Sequence, residues 1–133
     1  MSRVPRSQEH LKTGFTAEAV SAARFRAFAA QAEGEGKPDL ARKWLELAAE
    51  KDALAILQLA AAGQVREDGT NVGDALADER YENEVLYPRM IAAVEDGDGG
   101  AAAVFERVVA RQEETVAELK AMRDRLQAST GDL

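Results

Sequence analysis

Apolar residues recur at alternating steps of three and four along four stretches of the chain, the spacing of one face of an α-helix. Glycine-rich or charged breaks separate these stretches at residues 34–38, 62–73 and 95–100. The pattern predicts helices over residues 7–33, 38–62, 71–94 and 100–126. Ser7 is the predicted N-cap of the first helix, since helices favour a short side-chain acceptor there. Four helices of similar length predict an all-α, antiparallel four-helix bundle.

Each predicted helix carries charge on the face that would form the core. In the second helix, for example, the predicted core face is Leu40, Trp44, Leu47, Lys51, Leu54, Leu57 and Ala61. The charged positions on the four faces are Glu18, Lys51, Glu79, Glu82 and Glu113. All five lie near the midpoints of their helices, which share one level in an antiparallel bundle. Because buried charge is costly unless it is paired or metal-bound, the positions predict a common polar centre.

Composition narrows the classes of function that fit. A chain of 133 residues fits a single domain, so we assign residues 1–133 to one unit. Cysteine is absent, which excludes disulfides, thiolate metal sites and a cysteine nucleophile. The net charge of −7, with no basic stripe, disfavours a nucleic-acid partner. The longest apolar stretch is too short to span a membrane and the first residues lack a secretory signal, so we expect a cytoplasmic protein.

The pattern of carboxylates resembles rubrerythrins, a family of ferritin-like diiron proteins, over residues 7–126. The resemblance rests on Glu18, the pair Glu79-x-x-Glu82, the dipeptide Tyr87-Pro88, the position of Glu113, and on Gly36 and Trp44. It implies a ferritin-like bundle with a longer crossover between helices two and three. It also implies iron as cofactor, oxidoreductase chemistry of the diiron peroxidase kind, and a homodimer.

The sequence also departs from the rubrerythrin pattern. Helices two and four of the family each present Glu-x-x-His, whereas this chain has Lys51-x-x-Leu54 and Glu113-x-x-Val116. Both histidine ligands and one bridging carboxylate are therefore replaced, and the only histidine, His10, lies far from the central level. The cysteine-ligated rubredoxin domain is missing too. The resemblance consequently leaves open whether the protein is an enzyme.

Two interpretations of the polar centre remain. In the first, Glu18, Glu79, Glu82 and Glu113 bind a metal ion, with Lys51 in place of the missing bridging carboxylate; oxygen ligands suit manganese and tolerate Fe(II). In the second, no cofactor is bound and Lys51 neutralises the carboxylates in a relic pseudo-site. The protein would then have a structural or interaction role.

Overall fold

The computed structural model describes residues 6–130, and all regular secondary structure in this part of the chain is helical. The helices are α1 (Arg6–Gly34), α2 (Pro38–Ala61), α3 (Asp68–Tyr81), α4 (Tyr87–Val94) and α5 (Gly99–Thr130), with a π-helical segment, Glu82–Leu86, between α3 and α4. These elements agree with the four predicted helices, the third of which is α3, the π segment and α4 together. The all-α prediction is confirmed. None of the described helices is long and apolar enough to cross a membrane.

The chain divides into two units, Met1–Val65 and Arg66–Leu133, each of which contains one helical hairpin. In the first hairpin, Gln8 near the start of α1 donates a hydrogen bond to the carbonyl of Ala62, just past the end of α2. Further along, Phe28 of α1 packs against Trp44 near the start of α2, with ring centroids 5.1 Å apart. The two helices therefore run antiparallel. The single four-helix domain and its ferritin-like topology stay predictions.

Buried alanines form the interface between α1 and α2. On α2 and just past its end they recur every seven residues, at Ala41, Ala48, Ala55 and Ala62. The core face of α2 lies one position further along than predicted, and Leu40, Leu54 and Leu57 are 47%, 38% and 64% exposed. Alanine, rather than leucine, forms the seam because it lets two helix backbones approach closely. Gly14 leaves room for the side chain of Gln58 on α2, since a Cβ there would lie 1.7 Å from its Oε1.

In the first hairpin, each helix is followed within two residues by a glycine in the left-handed region. Gly36 and Gly63 both have φ of 74°, a conformation in which a side chain would be strained. After Gly63, the N–H of Gln64 reaches back to the carbonyl of Leu59 at 3.2 Å, a typical end of a helix. The predicted stops near residues 33 and 62 are thus explained by backbone geometry.

The second hairpin pairs α3 and α4 with α5. Tyr87 packs against Phe105 with ring centroids 5.8 Å apart, while Asn83 donates a hydrogen bond to the carbonyl of Val109. From Asn83 to Tyr87 the chain runs forward, while the residues they contact run backward from Val109 to Phe105. This hairpin is therefore antiparallel as well. Val72, Leu76 and Ala102 are its buried apolar residues.

Three predicted helix boundaries differ from those observed. Arg6 is already helical, so Ser7 lies inside the first turn of α1 and does not cap it. Helix α3 begins at Asp68, three residues earlier than predicted, because the side chain of Asn71 bonds both backbone groups of Arg66 and closes the turn before the helix. Helix α5 continues to Thr130, past the predicted end at residue 126.

The link between α2 and α3 consists of residues 62–67 and is the longest of the links between the described hairpin helices, as the sequence predicts.

Candidate functional site

Glu18 and Lys51 form the polar centre of the first hairpin. The Nζ atom of Lys51 lies 2.9 Å from Oε2 of Glu18, and the two side chains are 31% and 25% exposed. This oxygen of Glu18 is buried, and Lys51 is the cation that lies against it. Of the predicted site residues, the structure brings Lys51 together with Glu18, which carries the opposite charge.

Glu79 and Glu82 lie one turn apart in the second hairpin, at the end of α3 and the start of the π segment. Burial raises the pKa of the Glu79 carboxyl, and the neighbouring charges of Glu82 and then Asp78 raise it further. No salt bridge to Glu79 or Glu82 occurs among the described residues. The two carboxylates therefore repel each other without a protein cation between them.

A π segment at this place has a local cause. Pro88 has no N–H and its ring clashes with the carbonyl four residues earlier, which disrupts the regular α-helical ladder. The N–H of Tyr87 bonds the carbonyl of Glu82, five residues back, as in a π turn. Such turns are frequent at functional sites. In the sequence, Pro88 is the residue that indicates the π segment. A regular helical period over residues 71–94 does not predict it.

Gln112 is the residue of α5 that contacts the carboxylates. Its Nε2 donates a hydrogen bond to Oε1 of Glu82 at 3.0 Å, whereas its own Oε1 is buried and has no hydrogen-bond partner among the described residues. Sequence reasoning overlooked Gln112. A step of three from Val109, followed by a step of four to Val116, would have placed it on the inner face.

Glu113, in contrast, is exposed. A spacing of four residues from Val109 predicts Glu113 on the core face of α5. Neighbouring helical positions differ by about 100° around the axis, so this choice turned the inferred face of α5 away from the carboxylates. Glu113 is thus not among the carboxylates that the second hairpin gathers. His10 is exposed as well.

A diiron centre does not fit this arrangement. Sites of that kind draw a carboxylate from each of two helices and a Glu-x-x-His pair from each of the other two. Here Glu18 is already paired with Lys51, and Glu82 is bonded by the amide of Gln112. The described residues contain no group of three or more histidine, aspartate or glutamate side chains that could hold a metal ion.

Comparison with known proteins adds no assignment. No family model matches the chain, and no curated protein matches it.

Proposed function

We propose that the two hairpins form an antiparallel, rubrerythrin-like four-helix bundle in which protein groups have replaced the metal, and that the protein has a structural or interaction role. The observation that carries this proposal is the 2.9 Å contact between Lys51 and Glu18. An ammonium at this place supplies the positive charge that a metal would otherwise bring.

The proposed partner is a second copy of the chain. Helix α2 exposes large apolar side chains, including Leu45, Ile56 and Leu57 at 51%, 61% and 64%. Ala49, Ala53 and Ala60 are exposed on the same helix and leave room for a close helix contact. A homodimer would bury such residues. Size measurement by light scattering should give twice the chain mass, unchanged by a chelator.

Replacing Lys51 tests the metal-free proposal. Lys51→Glu removes a cation and restores a carboxylate beside Glu18, so it should create binding of Fe(II) or Mn(II) that the wild type lacks. Lys43→Glu is the matched control, because Lys43 lies on the same helix and is 66% exposed. Unchanged metal content in Lys51→Glu, measured after anaerobic loading, would contradict the proposed role of Lys51.

A second candidate is a single weakly held iron or manganese ion on Glu79 and Glu82. The observation that favours it is the crowding of these two carboxylates, which raises the pKa of Glu79 and which a cation would relieve. Two carboxylates and water would form an oxygen-rich site that suits manganese. Loading of the wild type with Mn(II), abolished by Glu79→Gln, would support this candidate over the metal-free one.

A further inference from the structure

Helix α2 carries a second regular stripe beside the one that faces α1. The buried alanines that face α1 recur in steps of seven, from Ala41 to Ala62. A separate set of positions recurs in alternating steps of four and three, the spacing of a coiled-coil seam. This outer stripe consists of Leu45, Ala49, Asp52, Ile56 and Leu59. Leu45 and Ile56 are 51% and 61% exposed, so α1 leaves the outer stripe open.

The middle of the outer stripe is charged but balanced. Asp52 accepts a hydrogen bond from Nη1 of Arg26 on α1 at 2.7 Å. A guanidinium has five N–H donors, so Arg26 keeps donors for a second carboxylate that approaches from outside the hairpin. The side chains of Arg26 and Asp52 are 51% and 45% exposed, which leaves both open to such a contact.

The order of residues in the outer stripe fits a second copy of the same stripe. Two α2 helices that pack antiparallel about a two-fold axis place Leu45 of one copy against Ile56 of the other, at both ends of the contact. Ala49 then lies opposite Asp52, where its small side chain leaves room for the carboxylate and for Arg26. A parallel pair would instead place Asp52 against Asp52, and like charges repel. The charges therefore favour the antiparallel pair.

We infer that the chain dimerises through an antiparallel contact between the outer stripes of two α2 helices, with each Arg26 shared between the two Asp52 carboxylates. This inference rests on the proposed function, in which the partner is a second copy, and it assigns the surface. Neighbouring helical residues differ by about 100° around the axis, so Lys51 lies on a different side of α2 from Asp52. The contact of Lys51 with Glu18 therefore remains outside the dimer surface.

Ile56→Glu tests the assigned surface. It places a carboxylate without a cation inside the contact, so the dissociation constant of the dimer, measured by sedimentation velocity, should rise at least about tenfold. Val20→Glu is the matched control: Val20 is also β-branched and is 51% exposed. It lies two residues before the buried Ala22 and therefore on the side of α1 that faces away from α2. The control should leave the dissociation constant unchanged.

The two possible failures differ. A wild-type dimer that Ile56→Glu weakens no more than Val20→Glu would overturn the assigned surface and leave the homodimer standing. A wild-type chain that is monomeric at every concentration would overturn the homodimer of the proposed function together with this surface.

A second measurement tests the antiparallel arrangement. The chain has no cysteine, so a single introduced cysteine carries a spin label at one known place. Lys43→Cys and Glu50→Cys place labels seven residues apart on one side of α2, outside the outer stripe. In the antiparallel pair the two Glu50 labels lie at nearly the same level, whereas the two Lys43 labels are offset along the axis by about 22 Å. The distance between labels should therefore be longer for Lys43→Cys. Equal distances, as in a parallel pair, would overturn the inference.

Discussion

The two hairpins place glutamate on their inner faces but compensate it in different ways. In the first, Glu18 meets the opposite charge of Lys51 between helices that are closely packed on alanine. In the second, the charge of Glu82 raises the pKa of Glu79, and the contact from α5 is the neutral amide of Gln112 on Glu82. Removing a carboxylate should therefore destabilise the first hairpin and stabilise the second.

The largest expected effect comes from the alanine seam of the first hairpin. Ala48 is 2% exposed, so Ala48→Leu forces methyl groups between closely spaced helices and should cost about 1–3 kcal/mol in free energy of unfolding. Ala30→Leu at an exposed position of α1, outside the proposed dimer surface, is the control and should change stability little. Equal denaturation midpoints for the two variants would show that alanine does not set the helix spacing.

The next effect comes from the ion pair. Lys51→Met leaves the carboxylate of Glu18 partly buried without its cation and should cost about 1–2 kcal/mol, between the values for exposed and buried pairs. Glu18→Gln should also destabilise. A double-mutant cycle with both changes isolates the pairwise energy. A coupling energy near zero would mean that the contact contributes nothing to stability.

A smaller effect of opposite sign is expected at Glu79. Glu79→Gln removes like-charge repulsion and should raise the stability at neutral pH by less than about 1 kcal/mol, because the carboxyl is partly exposed. Thermal melting without added metal measures the change. Lower stability than the wild type would instead indicate that the Glu79 carboxylate has a stabilising partner.

The gain in stability from Glu79→Gln should also depend on pH. The fold raises the pKa of this carboxyl, so the folded state favours its protonated form. The ionised form is therefore the costly one, and its cost is fully present above the raised pKa. As the pH falls through the raised pKa to below the ordinary glutamate value, the wild type should approach Glu79→Gln in melting temperature. A constant difference from pH 7 to pH 4 would contradict this.

The helices could be read from the sequence because glycine and proline mark their ends and apolar spacing marks their type. The inner faces were harder to assign. On α2, leucines outrank alanines in hydrophobicity, yet Ala55 is buried and Leu57 exposed because the seam selects small residues. On α5, adjacent Gln112 and Glu113 offered two equally regular continuations, and only the contact with Glu82 distinguishes them.

We propose that protein groups, and not a metal ion, contact the inner carboxylates of each hairpin. The most direct measurement is elemental analysis of wild-type protein, purified without chelator and reloaded anaerobically with Fe(II) and Mn(II), expressed as metal per chain. The account predicts a ratio near zero, with a melting temperature that EDTA does not change. A ratio near one or more, accompanied by a metal-dependent rise in melting temperature, would contradict it.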